Sequence, residues 1–212
     1  MLFQQIRCGG DRNFGYLLAD EASRACALVD PSPDPEPALR EVAERGLDIV
    51  YAIVTHDHFD HSAGIPRVRE VSRAQSVFSG VTGKGDIQVA DGDVLPLGAV
   101  ELTFLLTPGH TPDAMCVLAD NRLITGDTLF VGKVGGTHDR TAARREYDSL
   151  RRLMALPGEI SVWPGHDYGV RPSSTIADER ANNPFCQRLD DFESFCWLKE
   201  NWAAYKQEHG IP

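Results

Sequence analysis

The chain has 212 residues, 42% of them hydrophobic and 25% charged, with a formal net charge of −10. That length buries a sizeable core without disulfides, and the acidity excludes nucleic acid or an anionic membrane surface as the main partner, since both require a basic footprint. The five cysteines are odd in number and form no C-x-x-C pair, no run approaches membrane-spanning length, and Met1 to Arg7 lacks the apolar core of a signal peptide, so a cytoplasmic protein with reduced thiols is expected.

In chain order, Leu2 to Arg7, Asn13 to Ala19 and Ala25 to Val29 read as short strands joined by tight turns, an antiparallel meander. Four prolines between Asp30 and Pro37 form a rigid loop leading into a helix from Ala38 to Arg45, stopped by Gly46. Ile49 to Val54 is a buried strand, followed by a polar loop and a short helix from about Ile65 to Arg73. Strands are predicted at Gln75 to Val81, Val100 to Leu106, Met115 to Leu118, Leu123 to Thr125 and Ile160 to Trp163. Helices are predicted at Ala142 to Leu156, Ile176 to Ala181 and about Asp190 to Gln207. Phe192, Phe195, Cys196, Trp202 and Tyr205 give the last helix an apolar stripe, read as packing, with a wall of a substrate cleft or a homodimer interface as the alternatives. Thr82-Gly83-Lys84-Gly85 lacks the spacing of a phosphate loop.

The stretch Thr55-His56-Asp57-His58-Phe59-Asp60-His61 places three histidines and two aspartates at the end of a core strand. A fold gains nothing from so many imidazoles and carboxylates there, whereas a metal site does. Strand ends deliver metal-type residues again at Leu106 to His110, Thr125 to Asp127 and Trp163 to His166, which implies one sheet edge where they converge. The candidate ligands are His56, His58, Asp60, His61, His110, Asp127 and His166, five nitrogen donors and two carboxylates. Such a set suits zinc, and also iron or manganese, and the absence of thiolate argues against a closed structural zinc. Seven donors exceed what one tetrahedral ion needs, and two divalent ions sharing a carboxylate use them all. His56 and His58 face the same way in extended backbone and can grip one ion. Asp60 and His61 follow a change of direction and can reach a second, and Asp127, directly after Gly126, is placed to bridge. His138, in a glycine-rich loop, is a candidate substrate contact, Asp30 is expected to hydrogen-bond a ligand histidine, and Asp57 to face away.

Thr55 to His61 matches the T-H-x-H-x-D-H signature of the metallo-β-lactamase-fold superfamily, and Thr107-Pro108-Gly109-His110, Gly126-Asp127-Thr128 and Pro164-Gly165-His166 follow in the family's order. The chain resembles that superfamily from about Leu2 to Asn183. The resemblance implies an α/β fold, a four-layer αβ/βα sandwich, as one domain over residues 1–212 with a short helical C-terminal extension from about residue 185. It also implies that His56, His58 and His110 hold one ion, that Asp60, His61 and His166 hold the other, and that Asp127 bridges them.

Within the superfamily, Gly126-Asp127-Thr128-Leu129-Phe130-Val131 is similar to the G-D-T-L-F-V of glyoxalase II, the hydroxyacylglutathione hydrolases. His166-Asp167-Tyr168 stands where that family has H-E-Y, which makes Tyr168 a candidate substrate contact. The family's glutathione-gripping lysine and tyrosine would fall near Gly136 and His138, and neither residue type is kept. The implied activity is hydrolysis of a small-molecule acyl-thioester such as S-lactoylglutathione, with Asp60 orienting or deprotonating the water. The alternative is an iron-dependent persulfide dioxygenase on the same scaffold. The H-D-Y of those enzymes matches His166 to Tyr168, but their G-R-T-D-F-Q does not match Gly135 to Arg140.

Overall fold

The structure is a computed structural model that describes residues 1–211; Pro212, the last residue of the expected C-terminal extension, lies outside the described residues. In the first sheet, β1 (Leu2–Arg7), β2 (Phe14–Ala19) and β3 (Ala25–Val29) form the expected meander. β4 (Asp48–Ile53), β5 (Gln75–Ser79) and β6 (Ile87–Val89) then add to β3 in parallel. Parallel pairing requires crossovers. These are α1 (Glu36–Arg45) before β4, and α2 (Phe59–Ser62) with α3 (Ile65–Val71) after it. Pro37 sits in the first turn of α1, and Gly46 ends the helix in the left-handed conformation with φ 62°.

The second half of the chain supplies β7 (Val94–Leu97), β8 (Val100–Leu106), β9 (Met115–Ala119) and β10 (Arg122–Gly126), then a hairpin of β11 (Leu129–Phe130) and β12 (Lys133–Val134). After α4 (Arg140–Met154) come β13 (Ser161–Pro164) and β14 (Ser174–Thr175). The second sheet runs β14-β13-β10-β9-β8-β7, antiparallel except for the β10–β13 pair. The tail holds α5 (Ile176–Asn182), a 3-10 turn at Cys186–Arg188, α6 (Phe192–Glu200) and α7 (Trp202–His209).

Strand alternation sorts the apolar side chains into three layers of contact. Phe14, Tyr16 and Leu18 of β2 point between the sheets, where they join Ile53, Phe104, Val117 and Ile124. Leu17 and Ala19 point the other way, into a cluster with Ala38 and Val42 of α1 and Val68 of α3. On the far side, Cys116, Leu123 and Val162 pack with Tyr147, Leu150 and Leu153 of α4 and with Phe195 and Leu198 of α6. The order is helix, sheet, sheet, helix, the αβ/βα sandwich. Central strands are covered on both faces and so read as nearly continuous apolar runs. Truncating one of the fully buried side chains, such as Phe104 or Phe195, costs about 3–5 kcal/mol.

Three sequence expectations need correction. The tail helix predicted from Asp190 to Gln207 is two helices, α6 and α7, broken at Asn201, whose side chain donates back to the carbonyl of Trp197 at 2.8 Å. The short strands β6, β7, β11, β12 and β14 were not predicted, β12 falling where a glycine-rich loop was expected. β7 carries Pro96, which lacks an N–H and is tolerated because β7 lies at a sheet edge. The stretch after His58 is not an open loop but the single turn of helix α2. The apolar stripe of the tail packs against its own chain: Phe195 and Cys196 are buried, and Phe192, Trp202 and Tyr205 lie partly buried on the second sheet's helical layer. All five cysteines are free and buried. No helix among the described residues is long and apolar enough to cross a membrane.

Both sheets meet at one edge. There the backbone N–H of Met115 donates to the Thr55 carbonyl at 2.9 Å, and that of Phe14 to the Gly165 carbonyl at 2.8 Å. The C-terminal ends of β4, β8, β10 and β13 converge there, as the repeated strand-end pattern predicted.

Candidate metal centre

β4 runs out into His56 and His58, and the first turn of α2 then carries Asp60 and His61. The loops after β8, β10 and β13 bring His110, Asp127 and His166. His56 Nε2 lies 3.0 Å from His58 Nδ1, and His110 Nε2 lies 3.2 Å from the same nitrogen. Beside them, His61 Nε2 is 3.2 Å from His166 Nε2, and Asp60 Oδ2 is 3.5 Å from His166 Nε2 and 3.8 Å from His61 Nε2. Asp127 stands between the two clusters. Its Oδ2 is 3.7 Å from His110 Nε2, and its Oδ1 is 3.4 Å from Nε2 of both His61 and His166. Close backbone approach makes this possible: a Cβ at Gly126, where φ is 48°, would meet Thr55 Oγ1 at 2.5 Å, and one at Gly165 would meet Asp127 Oδ1 at 2.5 Å.

The ring nitrogens that face outward are held. His110 Nδ1 donates to the Gly136 carbonyl at 2.7 Å and His166 Nδ1 to the Asp11 carbonyl at 2.9 Å. His61 Nδ1 lies 2.9 Å from Asp30 Oδ2, and His56 Nδ1 lies 3.2 Å from Thr55 Oγ1. A carbonyl only accepts, so a neutral His110 or His166 carries its proton on Nδ1 and turns a bare Nε2 lone pair inward. Ring nitrogens converging at about 3 Å must share a proton or a metal cation between them. Asp127 Oδ1 is buried and has no hydrogen-bond partner among the described residues. Converging imidazole lone pairs and an unpartnered buried carboxylate oxygen are the donor set of a divalent metal, so the residues present fit one. Ligand atoms close enough for an ion occur in three overlapping groups: His56, His58 and His110; His56, His61 and Asp127; and Asp60, His61 and His166.

The electrostatics are those of strongly coupled groups. Burial disfavours the charged form of Asp127, but His166, His61 and His56 outweigh it and hold the carboxyl well below the usual carboxylate range. Burial lowers the basicity of His61, yet the Asp30 carboxylate, helped by Asp127 and Asp60, lifts it to about 9. His56 and His110 are pushed down, chiefly by burial. Asp30 does what was expected of it: besides facing His61, it accepts from Thr55 N at 2.8 Å and Thr55 Oγ1 at 2.6 Å.

Beside His110 and Asp127 opens a cleft of about 680 Å³, lined also by Phe130, Lys133, His138, Tyr168, Lys199 and Trp202. His138 and Tyr168, the two expected substrate contacts, both line it. The Tyr168 hydroxyl, however, donates to Asp11 Oδ2 at 2.6 Å, and its ring stacks on His166 at 4.6 Å and 6°. Tyr168 therefore offers a ligand its ring rather than its hydroxyl. Asp57 faces away from the centre: its N–H donates to Asp113 Oδ2 at 2.8 Å and its carboxylate pairs with Lys84, which also gives that lysine a role other than phosphate binding.

Four residues at the site were not anticipated. Asp11 and Asn13 reach it from the turn between β1 and β2, Lys133 from β12, and Lys199 from α6. Lys133 Nζ sits 3.9 Å from the Tyr168 ring centroid, and burial lowers its pKa. The one available signal was the position of Lys133 inside the glycine-rich loop already singled out.

Residues 9–166 match the family model described as the metallo-beta-lactamase superfamily. The human mitochondrial persulfide dioxygenase ETHE1 is 35% identical over 190 residues, 86% of this chain and 73% of that protein. A hydroxyacylglutathione hydrolase of Anaeromyxobacter dehalogenans is 34% identical over 226 residues, covering 90% of this chain and 87% of that one. Among solved structures, ETHE1 from Myxococcus xanthus superposes with a TM-score of 0.88 at 36% identity, over 95% of this chain and 91% of that one.

Proposed function

The chain belongs to the metallo-β-lactamase superfamily, and from that premise we propose that it is a metal-dependent hydrolase of small-molecule acyl-thioesters such as S-lactoylglutathione. The observation that carries this reading is Asp127. One of its oxygens faces His110 and the other faces His61 and His166, an arrangement suited to a carboxylate shared by two ions. On this reading His56, His58 and His110 hold one ion, Asp60, His61 and His166 the second, and Asp127 both. Zinc suits the imidazole and carboxylate donors, with iron or manganese as alternatives. When bound, such ions lower the pKa of water from about 15.7 towards 7 and polarise a carbonyl.

The chain's own groups supply the rest. Asp60, with its side chain 41% exposed, is open enough to orient the attacking water and accept its proton. The cleft seats the thiol carrier. Phe130 and Trp202 give it apolar walls, Lys133 and His138 offer donors to an anionic or polar carrier, and the Tyr168 ring closes one side.

A second reading, a persulfide dioxygenase, is favoured by the likeness to ETHE1 from Myxococcus xanthus over nearly the whole chain. One experiment separates the two. Protein purified without added metal is analysed for metal, then assayed for thiol release from S-lactoylglutathione and for oxygen uptake with glutathione persulfide. Thiol release without oxygen uptake, at two ions per chain, is expected. Oxygen consumption at about one iron per chain, with no thiol release, would replace the first reading by the second.

A further inference from the structure

Within the Asp60, His61 and His166 group, Asp60 is the one proposed ligand that the fold does not bury. Its side chain is 41% exposed, whereas those of His61 and His166 are 1% and 3% exposed. An exposed carboxylate rotates freely, and a metal group that must first order it loses affinity. Something has to hold it, and the structure shows what does. Asn13, 1% exposed, reaches across from the turn between β1 and β2. Its Nδ2 donates to the Asp60 carbonyl at 3.1 Å and to Asp60 Oδ2 at 3.1 Å. Both of those atoms only accept, which fixes the orientation of the amide. No other hydrogen bond to the Asp60 carboxylate occurs among the described residues. Oδ2 is also the oxygen nearest His166 and His61. A carboxylate oxygen has two lone pairs, so Asn13 can take one and leave the other facing those histidines.

This contact is not a by-product of good packing. Asn13 Oδ1 is buried with no partner, so the amide faces Asp60 at the cost of an unsatisfied acceptor. Room for that oxygen comes from Gly10, where a Cβ would fall 2.3 Å from it. The same turn orients a second donor of the group, since the Asp11 carbonyl accepts from His166 Nδ1. The backbone is pinned on both sides: Asn13 N donates to the Gly9 carbonyl at 3.0 Å and Phe14 N to the Gly165 carbonyl at 2.8 Å.

We propose that Asn13 is a positioning residue that presets the Asp60 carboxylate for metal binding, and that the β1–β2 turn is the template of the Asp60, His61 and His166 group. The proposal rests on the two-ion reading above. It predicts that the two ions respond differently to loss of Asn13, because the His56, His58 and His110 group makes no contact with it.

The test is titration of metal-free protein with cobalt(II), followed by its visible spectrum, for the wild type, Asn13→Ala, Asp60→Ala and the double variant. In Asn13→Ala the first equivalent should bind as in the wild type and the second about 10- to 100-fold more weakly, the usual effect of losing an outer-shell partner. In the Asp60→Ala background, loss of Asn13 should cost much less than it does alone, since its bond to the main-chain carbonyl is all that remains to lose. Asn13→Leu, of similar size but without a donor, replaces the alanine variant if that one does not fold. An unchanged second equivalent, an equal loss at both equivalents, or additive losses in the double variant would each overturn the proposal. So would a wild type that binds a single ion. Thiol release is scored separately: two-step binding that depends on Asn13 in a protein lacking thioesterase activity would sink the proposed reaction and leave the role of Asn13 standing.

Discussion

Lys199 of α6 is ion-paired with Glu146 of α4, whose side chain has no solvent exposure, and the same Nζ donates to the Gly135 carbonyl at 2.8 Å. The neighbouring carbonyl, Gly136, is the one that fixes His110. A helix of the C-terminal tail is thereby tied to the loop that orients a proposed ligand. Burial lifts the Glu146 carboxyl from 4.5 to about 7, with Lys199 opposing the rise. The folded value lies above the unfolded one, so the folded state holds this proton more tightly. The stability it contributes is full below about pH 4.5 and is lost as the pH rises to about 7. Glu146→Gln keeps the neutral shape at every pH. Relative to the variant, the wild type should lose melting temperature between about pH 5 and 7 and show a constant difference above about pH 8. Thermal melts of both metal-free proteins across that range check this, and a difference independent of pH would contradict it.

Asp30→Ala should weaken both the fold and the centre. Three donors converge on this carboxylate, from the Thr55 backbone, the Thr55 hydroxyl and His61. Leaving buried donors unmet costs about 1–3 kcal/mol each before relaxation. The expected destabilisation is about 2–5 kcal/mol, with metal affinity reduced about 10- to 100-fold. Urea unfolding of the metal-free variant measures the first effect and competition with a chromogenic chelator the second.

Asp127→Ala should lose bound metal and thiol release together, because both donor groups face that one side chain. Chelation of the wild type should mimic the loss of activity and also lower the melting temperature. A ligand bound at a thousand times its Kd stabilises by about 4 kcal/mol, or roughly 10 °C for a chain of this size. Metal content by mass spectrometry and calorimetry before and after re-addition of zinc are the measurements. An Asp127→Ala protein that keeps two ions and its activity would refute the sharing of this carboxylate.

Lys133→Ala and His138→Ala act in the cleft rather than at the centre. Lys133 forms no ion pair among the described residues and lies over the Tyr168 and Phe130 rings. Its loss should raise KM for S-lactoylglutathione about tenfold, equivalent to about 1.4 kcal/mol, with little change in kcat. His138→Ala should shift KM in the same direction by less. Steady-state kinetics would expose a misassignment if kcat fell instead.

The seven clustered donors were legible in the sequence because metal-type side chains recur just past apolar runs that read as core strands. The strands that lead into them, β4, β8, β10 and β13, were legible, whereas the helical turn α2 that carries Asp60 and His61 was not. Asp30 was also legible, as a polar residue closing a core strand. What could not be read were groups whose importance depends on where distant segments meet. Asn13 faces Asp60 from 47 residues away and Lys199 faces Glu146 from 53, and no local pattern marks either pair. The tail misled for a different reason: its apolar periodicity continues through Asn201, where the backbone does not. The hydroxyl partner of Tyr168, Asp11, lies 157 residues earlier in the chain and was equally out of reach.

Each proposed ion would take ligands from both sheets. His58 and His110 are separated by 52 residues, and His61 and His166 by 105. Metal–ligand bonds across such spans act as cross-links that close long loops, and closures of this size remove unfolded-state entropy worth on the order of 4 kcal/mol each. Two such ions would in that sense be clasps that fasten the N-terminal sheet to the C-terminal one along a single edge. Without them that edge is held by the inter-sheet core and by main-chain bonds such as those from Met115 N–H to the Thr55 carbonyl and from Phe14 N–H to the Gly165 carbonyl, and it loses the restraint that metal–ligand bonds would add.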